Sequence, residues 1–148
     1  MNTQNIQLSQ HFTLSEMTAS GTAIRRGISN TPSPAETENL RQLCQNVLEP
    51  LRQRFGRIRV TSGYRCSELN EAVGGVKNSQ HMRGQAADLH VTSEEQAQQW
   101  ADFIAQHLDF DQCIIERRLG NGCRWLHVSY VTPTQQRKNR RQVLKLNV

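Results

Sequence analysis

Two histidines and one aspartate have the side chains that a catalytic zinc site requires. His81 and Asp88 lie in the stretch SQHMRGQAAD (residues 79–88), and His127 lies in RWLHVSY (residues 124–130). A catalytic zinc ion is held by three such ligands and keeps a further position open for water. A buried imidazole or carboxylate can instead be a structural group that is satisfied by hydrogen bonds. The sequence therefore raises a zinc site as one hypothesis and a structural role as the other.

The predicted secondary structure can bring these three side chains together. His81 lies in a loop, and residues 86–91, which carry Asp88, have the composition of a strand. Alternation in the strand predicted near residues 124–131 places His127 on one face of a sheet. His90 shares a strand face with Asp88, so it is a possible supporting residue or a substitute ligand. The remaining histidines, His11 and His107, are expected to be structural or solvated.

The elements that position these groups follow from caps and periodicity. Capping boxes at Thr13 and Ser33 predict helices near 13–17 and 34–55, the second with a possible kink at Pro50. Further helices are predicted over 67–73 and 93–108, strands over 58–61, 86–91, 111–116 and 124–131, and a loop through Gly21 and Gly27. Helices that mostly precede strands favour a single α+β domain. We expect an antiparallel sheet with helices packed on one side and the zinc site on the sheet.

Composition and charge limit the range of partners. The 148 residues carry 18 Lys and Arg against 13 Asp and Glu, a formal charge of +5, which favours anionic partners. The domain is predicted to span residues 1–148, with a core over 12–131 and a basic extension over 132–148. The basic run RKNRR (residues 137–141) is most simply a solvated tail or edge, with an electrostatic contact as the alternative.

Cysteine spacing and hydropathy predict the compartment. The four cysteines show no C-x-x-C pair, which favours reduced thiols over a zinc knuckle or a redox motif. The first residues lack a basic region followed by an apolar run, and no apolar stretch is long enough to span a bilayer. We therefore expect cytoplasmic synthesis without a signal peptide and no membrane span. Oligomeric state is left open.

Seven short motifs follow one another between Phe12 and Tyr130. They are FTLSEM, NTPS, LEPLR, TSGYR, SQHMRGQAAD, FDQ and WLHVSY. In this order they resemble the zinc D-Ala-D-Ala carboxypeptidases of peptidase family M15, especially its small phage and bacterial members. The resemblance implies that His81, Asp88 and His127 hold Zn²⁺ and that the substrate is a peptidoglycan peptide.

The TSGYR and SQHMRGQAAD motifs imply residues that contact the substrate. Arg65 matches the family's arginine near the substrate and the transition state. A guanidinium there could hold a substrate carboxylate through two hydrogen bonds, or stabilise the oxyanion that develops during attack. Ser79 and Tyr64 are further candidates for substrate binding, although a packing role is the alternative for Tyr64.

The general base departs from the family pattern. The family usually has an acidic residue three positions before its second histidine, but this chain has Arg124 there. We predict that Glu116 replaces it, because a hairpin centred on residues 120–121 would place Glu116 diagonal to His127 on one face. A shift of one residue would turn Glu116 away. A simple salt bridge with an arginine is the alternative role for Glu116, and Asp111 is a weaker candidate for the base.

The function predicted from these residues and from the resemblance is a zinc metallopeptidase. It would hydrolyse stem or cross-link peptide bonds of peptidoglycan as a D-Ala-D-Ala carboxypeptidase or an endopeptidase. A phage endolysin released to the cell wall, or a component carried by a phage particle, fits the expected lack of a signal peptide. The alternative is a catalytically inactive, zinc-containing wall-binding or virion module. Specific nucleic-acid binding through the basic extension is a third, less favoured hypothesis.

Overall fold

The structure is a computed structural model and describes residues 5–148. The helices are α1 (Leu14–Thr18), α2 (Gly21–Arg26), α3 (Pro34–Leu43), α4 (Glu49–Phe55), α5 (Ser67–Ala72) and α6 (Glu94–His107). A π-helical turn (Cys44–Leu48) joins α3 to α4, and a 3₁₀ turn (Gln80–Arg83), called the His81 turn below, precedes β2. The strands are β1 (Val60–Ser62), β2 (Ala86–His90), β3 (Gln112–Arg117), β4 (Arg124–Ser129) and β5 (Gln142–Asn147).

The five strands form one mixed sheet in the order β1-β2-β4-β3-β5. All neighbours are antiparallel except β3 and β5, which are parallel. Alternate residues such as Leu89 on β2 and Leu126 on β4 are buried with the helices in one hydrophobic core. Asp88 and His127, each next in sequence to one of these leucines, lie on the opposite face. The predicted α+β domain with a candidate metal site on the sheet is confirmed.

Both predicted capping boxes are present. The Thr13 hydroxyl accepts the Glu16 N–H and the Glu16 carboxylate accepts the Thr13 N–H, and Ser33 and Glu36 make the same reciprocal pair. Each pair satisfies two N–H groups that have no acceptor inside the helix. These caps fix where α1 and α3 begin, as the sequence predicts.

The predicted helix over residues 34–55 is interrupted by the π-helical turn. There the Glu49 N–H bonds to the Cys44 carbonyl. Pro50 follows directly in the first turn of α4 and has no N–H to donate. Because the π-helical turn ends one helical segment before Glu49, Pro50 falls in the first turn of the next segment. Its lack of an N–H is tolerated there. The irregularity predicted at Pro50 therefore takes the form of a π-helical turn before the proline.

Two elements differ from the sequence-based expectations. α2 occupies a stretch predicted to be a loop; Ser20 caps its start, and Gly27 ends it in the left-handed conformation. Six residues without an apolar stripe give no periodic signal. β5 lies in the basic extension, directly after the run predicted to be a solvated tail or edge, and it pairs along the whole of β3. The sheet therefore has a parallel edge strand in addition to the predicted antiparallel strands.

Within residues 5–148, no helix is long and apolar enough to cross a membrane. All four cysteines are free thiols, as their spacing predicts. Two of them, Cys44 and Cys113, are buried in the core. Burial raises the pKa of the Cys113 thiol to about 12, so it stays protonated and packs as a small apolar side chain.

Candidate metal centre

Strand register brings the three predicted ligands together. β2 and β4 run antiparallel with Asp88 directly opposite His127, and the His81 turn lies at the start of β2. The Asp88 Oδ1 atom lies 3.4 Å from His81 Nε2 and 3.0 Å from His127 Nδ1. One ligand atom from each residue lies within 4.8 Å of the other two. The three side chains therefore form one compact cluster from two distant parts of the chain.

The His81 ring is oriented by the backbone of the TSGYR loop. Its Nδ1 atom lies 2.7 Å from the Gly63 carbonyl oxygen. A carbonyl can only accept, so Nδ1 carries the proton and Nε2 presents its lone pair towards Asp88. Burial lowers the pKa of His81, which favours the neutral imidazole that a metal needs. A Cβ atom at residue 63 would lie 2.3 Å from the Met17 carbonyl oxygen, so this close approach requires glycine.

Asp88 is ionised in this cluster. Burial alone would raise the pKa of its carboxyl, but the neighbouring His81 and His127 more than offset that effect and hold the pKa well below its usual range. Its side chain is 17 % exposed. The cluster thus combines an anionic oxygen with imidazole nitrogens in a partly enclosed place.

The donor set and its spacing fit zinc. Tetrahedral ligands at about 2.0–2.1 Å from zinc lie about 3.3 Å from one another. The separations of 3.0 Å and 3.4 Å within the cluster are close to that value. Among residues 5–148 it is the one group of three or more His, Cys, Asp or Glu side chains close enough to share an ion. His81, Asp88 and His127 are therefore the residues that could hold zinc.

Glu116 lies beside the cluster in the predicted register. β3 pairs with β4 so that Ile114 is opposite His127 and Glu116 is opposite Trp125, which makes Glu116 diagonal to His127. The Glu116 Oε2 atom lies 4.0 Å from His127 Nδ1 and accepts a 3.2 Å hydrogen bond from the Trp125 indole. Burial raises the pKa of Glu116. The predicted position is confirmed, and the role as general base remains a prediction.

Arg65 lies against the same cluster from the TSGYR loop. Its backbone N–H donates to the His81 carbonyl oxygen at 3.0 Å. Burial lowers the pKa of its guanidinium, whereas the charges of Asp88 and Glu116 raise it. Within residues 5–148 the buried Nε atom has no hydrogen-bond partner. A buried donor of this kind needs an acceptor, and a substrate oxygen could supply one.

A cavity of about 220 Å³ lies beside Arg65. Its lining comes from residues 19–22 at the start of α2, Thr61 and Ser62 of β1, Tyr64, Arg65, Leu69 and Val73. A larger cavity of about 510 Å³ lies between α4 and α6 and contains none of the predicted site residues. The smaller cavity is therefore the one that adjoins the candidate site.

The two predicted substrate-binding residues are both buried. The Ser79 hydroxyl accepts the His81 N–H at 3.1 Å and so caps the His81 turn. Tyr64 packs in the hydrophobic core, where burial and the nearby Glu36 raise the pKa of its hydroxyl to about 12. The structure thus gives each a local role, and their contact with substrate stays a prediction.

The alternative residues lie outside the cluster. Asp111 is fully buried and bound by two arginines, which leaves it no free lone pair to act as a base. His90 is exposed at the end of β2. Arg124 turns towards Glu94, with its guanidinium 3.5 Å from that carboxylate.

Two residues outside the predicted site also contribute to it. The Trp125 indole N–H donates to Glu116 and orients it. The signal was available, because alternation puts Trp125 on the same strand face as His127. Gly63 lies in the TSGYR motif, and no sequence signal shows that its carbonyl orients His81.

Comparison with known proteins supports the motif-based resemblance. The family model described as Peptidase M15 matches residues 10–129. This span contains the whole His81, Asp88 and His127 cluster together with Glu116 and Arg65, and it ends before β5. No curated protein matches the chain.

Proposed function

This chain belongs to peptidase family M15, and from that premise we propose that it cleaves stem or cross-link peptide bonds of peptidoglycan with the help of zinc. The observation that carries the proposal is the cluster of His81, Asp88 and His127 with Glu116 beside it. A peptidase of this type needs a metal-binding group and a general base within reach of one bond. The cluster provides candidates for both.

The three clustered side chains would hold the metal through one oxygen and two imidazole nitrogens. When bound, zinc supplies a Lewis acid that acidifies water and polarises a peptide carbonyl. The protein's part is to fix the ligands before the metal arrives. The Gly63 carbonyl does this for His81, and the opposed positions of β2 and β4 do it for Asp88 and His127.

We assign Glu116 to accept the proton of the attacking water and to deliver it to the leaving amine. The new bond joins the water oxygen to the carbonyl carbon, and the carbon–nitrogen bond breaks as the amine gains the proton. A carboxylate whose pKa is raised by burial is a stronger base than one in water. The Trp125 indole restrains the carboxylate by bonding its Oε2 atom.

Arg65 is assigned to the substrate oxygen on which negative charge develops, or to a terminal carboxylate. Its buried Nε atom has no partner among residues 5–148, so a substrate oxygen would satisfy it. A carboxypeptidase would use this contact for the chain terminus, and an endopeptidase for the transition state. The products of cleavage distinguish the two roles.

The formal charge of +5 would help the protein associate with an anionic cell wall. We propose a phage endolysin, or an enzyme carried by a phage particle, as its setting. Lysis of cells that express the protein together with a membrane-permeabilising protein, but not of cells that express it alone, tests this setting. Lysis by the protein alone would contradict it.

Mass spectrometry of digested peptidoglycan tests the catalytic proposal. Zinc-loaded protein should release a single class of product, either terminal D-alanine or separated cross-links, and a chelator should stop the release. Glu116→Gln should retain zinc but lose at least about a hundredfold in rate, since general bases typically contribute that much or more.

The same digestion distinguishes the enzyme from a non-catalytic module. The arginine at position 124 favours the module, because the family usually has an acidic residue there. If fully zinc-loaded wild-type protein binds peptidoglycan and yields no product, the module is correct and the peptidase proposal is wrong. If Glu116→Gln keeps the wild-type rate, cleavage stands but Glu116 is not the base.

A further inference from the structure

The chain continues beyond the family match as a segment that folds back onto the sheet. The arginine segment, defined as residues 137–141, leads into β5, which pairs with β3. The Asn139 side chain bonds both backbone groups of Val131 at 2.9 Å. The Arg141 guanidinium donates to the Ala105 and Leu108 carbonyls at the C-terminal end of α6. The segment is therefore held in one place, although most of its residues are exposed to solvent.

Two arginines of this segment converge on one fully buried carboxylate. Arg137 donates to both Asp111 oxygens at 3.2 and 3.0 Å. The Arg140 guanidinium reaches Asp111 Oδ2 at 2.6 Å, and its backbone N–H reaches Oδ1 at 2.9 Å. Asp111 is 0 % exposed, whereas the two arginine side chains are 44 % and 49 % exposed. The arginines thus close over the carboxylate from the solvent side.

Asp111 also holds the turn that carries a proposed metal ligand. The Gln80 side-chain amide donates to Asp111 Oδ2 at 3.0 Å. Gln80 is the first residue of the His81 turn, and its carbonyl accepts the Gln85 N–H immediately before β2. One amide therefore connects the buried carboxylate to the segment from which the His81 ring projects.

We propose that Arg137 and Arg140 are positioning residues for the metal centre, acting through Asp111 and Gln80 on the backbone that presents His81. This rests on the proposed function, because it assumes that His81 binds metal. It assigns a role to residues that lie after the end of the family match at residue 129. Tight metal binding would then depend on the folded C-terminal segment.

Pre-organisation of His81 connects these contacts to metal affinity. A ligand held in its bound geometry loses little freedom when the metal arrives, and supporting contacts behind ligands typically contribute about 10- to 100-fold in metal affinity. His81 is already held on one side by the Gly63 carbonyl. The Gln80 contact restrains the backbone of the same turn from the other end, so its loss should have an effect near the lower end of that range.

The test measures metal affinity in the full chain, not activity. Gln80→Met keeps the length of the side chain and removes the donor to Asp111. Zinc affinity measured by competition with a chromophoric chelator should fall about tenfold. The melting temperature of the metal-free protein should change little, because one partly buried amide is lost. Lys138→Ala, which removes an exposed cation of the same segment, should leave zinc affinity unchanged.

A double-mutant cycle tests the path itself. Arg137→Ala with Arg140→Ala should weaken zinc binding to a similar extent as Gln80→Met. The loss of zinc-binding free energy in the variant with all three changes should be smaller than the sum of the two separate losses, because all three residues act through one connection. Hydrogen exchange of the amides in residues 80–85 should speed up in each variant. If the double arginine variant does not fold, Gln80→Met and its exchange rates alone decide.

The outcomes separate this inference from the proposed function. If wild-type protein binds no zinc, or if His127→Ala binds it equally well, the proposed metal centre is wrong. If wild-type protein binds zinc and Gln80→Met binds it with the same affinity, the metal centre stands and the positioning role is wrong. Fully additive losses in the cycle would also overturn the path through Asp111.

Discussion

Asp88, on β2, and Asp111, immediately before β3, are two ionised carboxylates with opposite surroundings. Asp88 is 17 % exposed and faces two imidazoles. Asp111 is fully buried and faces two guanidiniums, a backbone N–H and the Gln80 amide. For each, burial would raise the pKa of the carboxyl, and the neighbouring groups more than offset this and lower it.

The difference lies in whether the partners are permanently charged. Guanidiniums stay protonated at all physiological pH values and cannot bind a metal. They compensate the charge of Asp111 permanently. An imidazole can lose its proton within the physiological pH range and then offers a lone pair, so Asp88 and its two partners can together bind a divalent cation. The same residue type is therefore a structural centre at one site and a candidate metal ligand at the other.

Asp88→Asn should give the largest effect and separate the two carboxylates most clearly. An amide removes the anionic ligand, so zinc affinity should fall by about a thousandfold or more, with cleavage lost in parallel. The metal-free protein should lose only about 1 kcal/mol of unfolding free energy, because the Asn oxygen can still accept from His127. Zinc titration and urea unfolding measure the two quantities.

His90→Ala is the control for this change. His90 lies two residues later on the same strand face and outside the cluster, so zinc affinity should stay at the wild-type value. An Asp88→Asn protein that binds zinc normally would remove the distinction between the two carboxylates.

Asp111→Asn should show the reverse pattern. The unfolding free energy at neutral pH should fall by on the order of 2 kcal/mol, since hydrogen bonds to a charged acceptor are replaced by weaker neutral ones. One zinc ion per chain should still bind at saturating concentration. Asp109→Asn is the matched control: its carboxylate is about half exposed and 3.7 Å from Arg141, so its loss should have little effect. Equal losses in the two variants would show that burial of Asp111 is not what matters.

Acid should weaken the arginine-bound carboxylate in a predictable direction. The pKa of Asp111 is lowered in the folded protein, so its contribution to stability is present above its unfolded pKa of about 3.9. That contribution is lost as pH falls from about 4 through the lower folded pKa. Urea unfolding of metal-free protein between pH 7 and pH 3 should therefore show the wild type losing its advantage over Asp111→Asn below about pH 4. An advantage that grows as pH falls would contradict this sign.

Each half of the metal centre could be predicted from sequence because its information is local, and the resemblance to family M15 joined the two halves. His81 and Asp88 share one ten-residue motif, and strand alternation with a short hairpin sets the position of Glu116 relative to His127. The arginine centre could not be predicted in this way. Asp111 meets Arg137 and Arg140 across 26 and 29 residues, and a run of basic residues does not reveal which carboxylate it will cover.

His11 shows the same limit at the other end of the chain. It is expected to be structural or solvated, and the structure shows a structural role, because its ring bonds the largely buried carboxylate of Glu49. Ser9 donates to the same carboxylate at 2.7 Å. Ser9 and His11 each lie about 40 positions before Glu49 in sequence. Hydrophobic periodicity carries no information about such polar pairs.

Trp125→Phe should give the smallest effect and sharpen the boundary of the metal centre. Phenylalanine keeps an aromatic ring on which Arg118 can stack, as it does now at 5.4 Å, but it lacks the N–H that bonds Glu116. The rate of cleavage should fall about threefold to tenfold, because one hydrogen bond to a carboxylate is lost while the carboxylate itself remains. Zinc affinity should stay within about twofold, since Trp125 is not one of the three clustered side chains. Combined with Glu116→Gln, Trp125→Phe should cause no further loss, because its effect passes through that carboxylate. A further tenfold loss in the double variant would instead mean that the indole contacts the substrate directly.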